Sequence, residues 1–148
     1  MSKISKIGAG LVGICAIISA TSSYAACPTT FVIVKGQVEN APRKSIVRVQ
    51  LVYLRQQTEQ IEDSSDMTLE SGTFTIKVPF YTQSRGPVVN GQFEKCNRKP
   101  KTVIVSLVQD DHQYGRISLD FARDFTMPYP GTYVLRSEIV LHGPLDPH

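Results

Sequence analysis

The chain has 148 residues and a formal net charge of +3, with 41% hydrophobic residues, three cysteines and no tryptophan. Lys3 and Lys6 account for two of the net positive charges, which leaves +1 for the rest of the chain. Such a near-neutral balance argues against a general nucleic-acid binder. The length suits one domain with its own hydrophobic core.

The first predicted element is an export signal over residues 1–25. Two lysines begin it, and an apolar stretch follows over residues 7–20. That stretch is too short to span a bilayer, which needs about 20 residues. Ser, Tyr and Ala at positions 23–25 match the small-residue pattern of a signal-peptidase site. We therefore expect a secreted or periplasmic protein whose mature part, residues 26–148, has no transmembrane segment and ends in a short disordered tail.

Cleavage removes Cys15 and leaves two cysteines, which most often form a disulfide in an oxidising compartment. A bridge between Cys27 and Cys96 closes a loop of about 70 residues and stabilises the fold by roughly 4 kcal/mol. The alternative makes Cys27 the lipidated first residue of a bacterial lipoprotein, because small residues precede it. Tyr24 stands where such sites usually have an aliphatic residue, and lipidation leaves Cys96 unpaired.

The mature chain alternates apolar and polar residues with a period of two, which is typical of strands with one buried face. β-Branched residues dominate these stretches and favour strands. About seven short strands predict an all-β fold, a single seven-stranded antiparallel-type sandwich. Ile117, Phe121 and Phe125 share i, i+4 spacing, so a helix is the alternative there. The predicted strands cover residues 32–38, 47–53, 67–70, 73–80, 103–107, 117–121 and 132–141.

The stretches between these strands are polar or contain glycine and proline. Ser71 and Gly72 are interpreted as the tight turn of a hairpin. Residues 56–66 are polar and acidic without an apolar stripe, so we expect an exposed loop. Residues 83–100 form the longest irregular stretch, and a loop of that length is usually functional or anchored. Shorter connections are expected at residues 40–42, 110–115 and 127–131.

Three strand motifs resemble the opening of transthyretin-like and carboxypeptidase-regulatory-like domains. They are Gly-Gln-Val at residues 36–38, Val-Arg-Val-Gln-Leu at residues 47–51 and Gly-Thr-Phe-Thr-Ile at residues 72–76. Pro100 before Val-Ile-Val at residues 103–105 is similar to a later strand of that group. The resemblance implies a small seven-stranded sandwich that serves as a non-catalytic accessory, binding or carrier module. A second similarity, to pilotin-like lipoproteins of secretion machinery, goes with the lipidated alternative.

Few side chains offer catalytic chemistry. Asp110, Asp111 and His112 could supply oxygen and imidazole ligands to a metal, or support a hydrolase. Adjacent carboxylates on a turn are usually solvated, however, and no second histidine lies at ligand spacing. Ser71 and Ser106 lack the sequence of a nucleophile elbow. We therefore expect no enzymatic activity, no cofactor and no metal, with a metal-dependent or hydrolytic enzyme around the Asp-Asp-His turn as the alternative.

The densest charge cluster flanks Cys96 and is opposed in the sequence only by Glu94. It can meet an anionic polymer, a phosphate head group or an acidic protein patch, and a solvated loop is the alternative. No aromatic residues interleave with it, so nucleic acid is not expected. We predict an exported, non-enzymatic module that binds a protein or surface partner. The predicted partner-binding residues are Lys95, Arg98, Lys99 and Lys101.

Carbohydrate recognition often uses exposed aromatic rings as platforms. Tyr53 and Tyr133 face inward by strand alternation. Tyr81, Tyr114 and Tyr129 are expected at strand ends, where they can be exposed. Sugar binding through these three tyrosines is therefore a further alternative.

Overall fold

The computed structural model describes residues 29–80 and 99–144, and this part of the chain confirms the predicted all-β sandwich. It contains nine strands and one four-residue helix. In chain order these elements are β1 (Thr30–Glu39), β2 (Ile46–Arg55), β3 (Thr58–Thr68), β4 (Thr73–Phe80), β5 (Thr102–Gln109), β6 (His112–Asp120), α1 (Phe121–Asp124), β7 (Phe125–Tyr129), β8 (Thr132–Leu135) and β9 (Ile139–His142).

Two sheets face each other. The first has five strands in the order β4-β1-β8-β7, with β9 also pairing with β1, and the second has four in the order β3-β2-β5-β6. β1 is antiparallel to β4 but parallel to β8 and β9. The first sheet is therefore mixed, and the described residues hold nine strands where the sequence predicts seven. One additional strand is β7. The other arises because the single strand predicted over residues 132–141 is divided into β8 and β9.

The core lies between the inner faces of the two sheets, as the period-two alternation predicts. Val32, Val34 and Val38 of β1 face Val47, Val49 and Leu51 of β2 across one apolar layer. Burial alternates along β1 from Val32 to Glu39 and along β2 as far as Leu51. At Leu51, Val52 and Tyr53 three consecutive residues are buried, where the pairing of β2 with β3 shifts register. The largest fully buried side chains are Leu51, Leu107 and Leu141.

The prediction of an exposed loop over residues 56–66 is wrong. Gln56 and Gln57 both adopt positive φ angles, 46° and 67°, and form the two-residue turn of a hairpin between β2 and β3. β3 is an edge strand, so its polar side chains remain in water while its backbone pairs with β2. The hydrophobic periodicity used to recognise strands is missing because little of this strand enters the core.

The predicted hairpin at Ser71 and Gly72 is also wrong. β3 and β4 belong to different sheets, and the connection between them crosses the sandwich. Backbone bonds hold it: the Val38 amide donates to the Gly72 carbonyl at 2.8 Å, and the Leu69 amide donates to the Ser45 carbonyl at 2.9 Å. β4 pairs with β1 instead, because Phe74, Ile76 and Val78 complete the core face of the first sheet.

Two other predicted connections are shorter than expected. Only Asp110 and Asp111, with φ angles of 46° and 62°, join β5 to β6, and β6 begins at His112. Residues 127–129 belong to β7, which leaves Pro130 and Gly131 as the turn before β8. Gly131 has a φ of 75°, which fits the third position of a type II turn after proline.

The alternative helix through Ile117 does not form, because Ile117 lies in β6 and faces Val105 across the sheet. α1 is a single turn that begins after Asp120, whose carboxylate accepts a hydrogen bond from the Arg123 amide at 2.9 Å. It carries the chain from the end of the second sheet to the beginning of β7 in the first.

Candidate binding surface

The structure describes two members of the predicted basic cluster, Lys99 and Lys101. They are exposed on either side of the buried Pro100, immediately before β5. Lys95, Arg98 and the two cysteines of the predicted bridge, Cys27 and Cys96, lie outside the described residues. The geometry of the candidate surface therefore rests on Lys99, Lys101 and the strands that hold them.

The backbone of Lys101 is fixed on both sides. Its amide donates to the Val52 carbonyl of β2 at 2.8 Å, and its carbonyl accepts from the Phe121 amide of α1 at 3.1 Å. Both partners belong to buried residues of the sandwich. Lys101 is consequently presented by the body of the domain, and its side chain projects from a backbone position set by three elements.

Glu59 of β3 lies beside Lys101, with 2.6 Å between the ammonium nitrogen and a carboxylate oxygen. Both side chains are about half exposed, at 52% and 54%, so water weakens the attraction and the pair stabilises the fold by at most about 1 kcal/mol. The sequence shows only Glu94 close to the cluster. The β2–β3 hairpin adds Glu59, a carboxylate distant in sequence, which offsets part of the basic charge.

Lys99 stands over an aromatic ring. Its ammonium nitrogen lies 5.8 Å from the centroid of Tyr133, within the range of a cation–π contact. Tyr133 is partly buried and packs against Phe121 and Phe80, with centroids 4.8 and 6.0 Å away. The cluster of aromatic rings closes this end of the core and carries Lys99 on its outer side.

The Asp-Asp-His turn gives little sign of a metal site. Nδ1 of His112 lies 2.9 Å from the Asp110 carbonyl oxygen, and the ring stacks on Tyr114 with 6.5 Å between centroids. Within residues 29–80 and 99–144, no group of three or more His, Cys, Asp or Glu side chains is placed to hold a metal ion.

The two serines considered as nucleophiles are placed differently from each other. Ser106 is buried in β5, and the Ser71 hydroxyl donates to the Thr73 carbonyl at 3.3 Å.

The three tyrosines considered for sugar binding are placed differently. Tyr81 lies outside the described residues. Tyr114 is partly buried beside His112 on β6. Tyr129, at the end of β7, is 70% exposed and is the most exposed large hydrophobic side chain of the described part. It lies on the opposite sheet from Tyr114, so these two rings do not form one platform.

Two carboxyl groups of β3 have pKa values displaced in opposite directions. Partial burial raises the pKa of Asp63, although the Tyr53 hydroxyl, 3.0 Å away, donates to it and acts in the other sense. Asp66 accepts two hydrogen bonds from the Arg48 guanidinium, at 2.8 and 2.7 Å, and this contact lowers the pKa of Asp66. The fold therefore disfavours the charged form of Asp63 and favours the charged form of Asp66.

Replacing Asp63 with asparagine is expected to raise the melting temperature at pH 7. The folded-state pKa of Asp63 lies above its unfolded value of about 4, so its ionisation destabilises the fold as the pH rises through the raised pKa. Asparagine keeps an acceptor for Tyr53 without the charge. Thermal unfolding across pH 3–7 measures the effect, and the gain should disappear towards pH 3.

Asp66→Asn is the matched control and should show the opposite sign. Because the folded-state pKa of Asp66 is depressed, its contribution to stability is present above about pH 4 and is lost as the pH falls through the folded-state value. This variant should melt below wild type at pH 7 and approach it in acid. Equal behaviour of the two variants would contradict the assignment of a partly buried, disfavoured charge to Asp63.

Comparisons with known proteins identify no relative of this chain. No protein-family model, curated protein or solved structure matches the chain. Among the residues that the structure describes, no helix is long and apolar enough to cross a membrane. The function is therefore argued from the residues of this chain alone.

Proposed function

We propose that this protein is an exported, non-enzymatic β-sandwich module that binds an acidic protein or surface partner. The contact residues are Lys95, Arg98, Lys99 and Lys101, and the resemblance to transthyretin-like domains supports an accessory or binding role. The observation that carries the proposal is the fixed position of Lys101, clamped between Val52 and Phe121, beside Lys99 on its aromatic support.

A positive charge on a fixed backbone favours binding because less conformational entropy is lost when the complex forms. A side chain presented by strands loses less conformational entropy on complex formation than one on a free segment. Binding residues also concentrate where connections leave a rigid body of strands. Lys99 and Lys101 meet both conditions, since they lie where the chain enters β5.

Glu59 makes the proposal testable in both directions. Because its carboxylate competes with any acidic partner for Lys101, Glu59→Gln should strengthen binding. The double variant Lys99→Ser/Lys101→Ser should weaken it, by about fivefold for each lost exposed contact. A suitable probe is immobilised poly-L-glutamate, with binding followed by interferometry at increasing salt, which should weaken wild type as screening grows.

The matched control is Arg43→Ser/Lys44→Ser, which removes the same charge from the connection between β1 and β2. Both side chains are exposed, and that connection lies about 20 Å from Lys101 along β2. It should bind as wild type does. If Lys99→Ser/Lys101→Ser binds as tightly as wild type, or if both double variants weaken binding equally, the proposed contact surface is wrong.

A further inference from the structure

The outer face of the first sheet brings together side chains from four strands. Residues paired across strands share a face, and β1 presents Phe31 and Ile33 outward because Val32 and Val34 point into the core. Two rows result, which we call the outer platform. The first contains Phe31, Thr132 and Tyr129, and the second contains Lys77, Ile33 and Val134.

A β-bulge places Tyr129 on this face. Thr126 pairs with Val134 and Tyr129 pairs with Thr132, with the register shift between them. Thr126 and Tyr129 are three positions apart, and a regular strand would point them to opposite faces. The additional residue in the bulge turns Tyr129 outward, where 70% of the residue is exposed.

The platform combines the exposed ring of Tyr129 with the Lys77 ammonium, which lies over the ring of Phe31. The Lys77 ammonium nitrogen lies 3.8 Å above the centroid of Phe31, so this ring supports a positive charge. Tyr129 offers its ring to the solvent on β7, two strands from Phe31, which corresponds to about 10 Å. The Thr132 hydroxyl is placed on the strand between them.

The charges on this face have one sign near the platform. The next pair along the strands, Lys35 and Thr75, adds a second cation, and neither of the two rows contributes a carboxylate. Glu39 lies at the far end of β1, with 3.2 Å between its carboxylate and His142. A second copy packed face to face would bring four lysines together, so the charges favour an anionic occupant.

We propose that the outer platform binds an acidic polysaccharide, a chain of sugars that carry carboxylates. The carbon-bound hydrogens of a sugar ring pack on Tyr129, the Thr132 hydroxyl bonds a sugar hydroxyl, and a carboxylate of a neighbouring sugar pairs with Lys77. An extended chain with alternating apolar faces and carboxylates suits a sheet face on which the Tyr129 ring of β7 lies two strands from the Phe31 ring that supports the Lys77 ammonium. This proposal is independent of the surface around Lys99 and Lys101.

The test measures retardation of the folded protein in native gels that contain polygalacturonate. Wild type should be retarded, and Tyr129→Ala and Lys77→Gln should each lose roughly tenfold in affinity, as the loss of an aromatic contact or a charge-paired one predicts. Neutral polygalactose of similar length should retard the protein much less. Circular dichroism confirms that the variants remain folded.

Matched controls are Tyr114→Ala, on the other sheet, and Lys44→Gln, in the connection between β1 and β2, which should bind as wild type does. Lys99→Ser/Lys101→Ser should also bind as wild type. No retardation of wild type, or equal retardation of Tyr129→Ala, would overturn the proposal. So would loss of binding only in the Lys99/Lys101 variant, which assigns the polymer to the other surface. Capture by phosphatidylserine vesicles that the same platform variants abolish, without polymer binding, would replace the polysaccharide with a membrane surface.

Discussion

Replacing Phe121 with alanine is expected to lower the free energy of unfolding by about 4 kcal/mol, a typical loss for a buried phenylalanine. Phe121 is 3% exposed and packs on three rings, with centroids 4.8 Å from Tyr133, 5.3 Å from Phe125 and 6.4 Å from Phe80. It fills the space where α1 passes from one sheet to the other, so neighbouring side chains have little freedom to close the cavity. Urea unfolding followed by circular dichroism measures the loss.

Arg123→Ala is the control in the same turn of helix. Its side chain is 74% exposed and pairs with the adjacent Asp124, so its loss should change stability much less than the loss of Phe121 does. If Phe121→Ala loses no more than Arg123→Ala, the aromatic cluster does not hold this end of the sandwich. Since Tyr133 also supports Lys99, Phe121→Ala should disturb the basic surface as well.

Reduction of the mature protein is expected to lower the free energy of unfolding by up to about 4 kcal/mol, because a loop of about 70 residues is released in the denatured state. The prediction rests on Cys27 and Cys96, the two cysteines that would remain after removal of the predicted export signal. Mass spectrometry of the non-reduced protein should show a peptide that links them, and a mature N-terminus at residue 26 or 27. Thermal unfolding with and without reductant gives the stability difference.

The results that would contradict the predicted disulfide can be told apart from one another. Two free thiols would remove the predicted bridge, while a diacylglycerol mass on Cys27 would support the lipoprotein alternative and its pilotin-like role. A Cys96→Ser variant separates the two, since its thermal stability should equal that of the reduced protein if the bridge exists. An intact N-terminus in the exported fraction would contradict the cleavage site.

Strand alternation was sufficient to predict the sandwich, because inner faces such as Val47, Val49 and Leu51 are apolar at every second position. It failed at β3, where the edge position leaves the strand with no apolar face to recognise. It also failed at Ser71 and Gly72, since local turn residues do not reveal which sheet the next strand joins. Pairing partners depend on the whole core, and they are set by contacts far apart in sequence.

For the candidate surfaces too, the sequence predicts local features but not the contacts between residues distant in the chain. The density of lysines before β5 is visible in the sequence, but the carboxylate beside Lys101 comes from Glu59 on another hairpin. The outer platform could not be predicted, because the bulge in β7 changes the face of Tyr129. An odd spacing between two outward residues is a signal for such a bulge only once the pairing of Thr126 is known.

The central position of β1 also governs when the domain can form. One side of β1 pairs with β4, but the other side pairs with β8 and β9, where Gly36 lies opposite Ile139 so closely that a Cβ would be 2.5 Å from the Ile139 carbonyl oxygen. Contacts between such distant parts of a chain form slowly. During synthesis, one edge of β1 therefore stays open until residues 132–142 have emerged from the ribosome. For that period the chain exposes an apolar strand with one unpaired edge, a feature by which incomplete β-proteins aggregate.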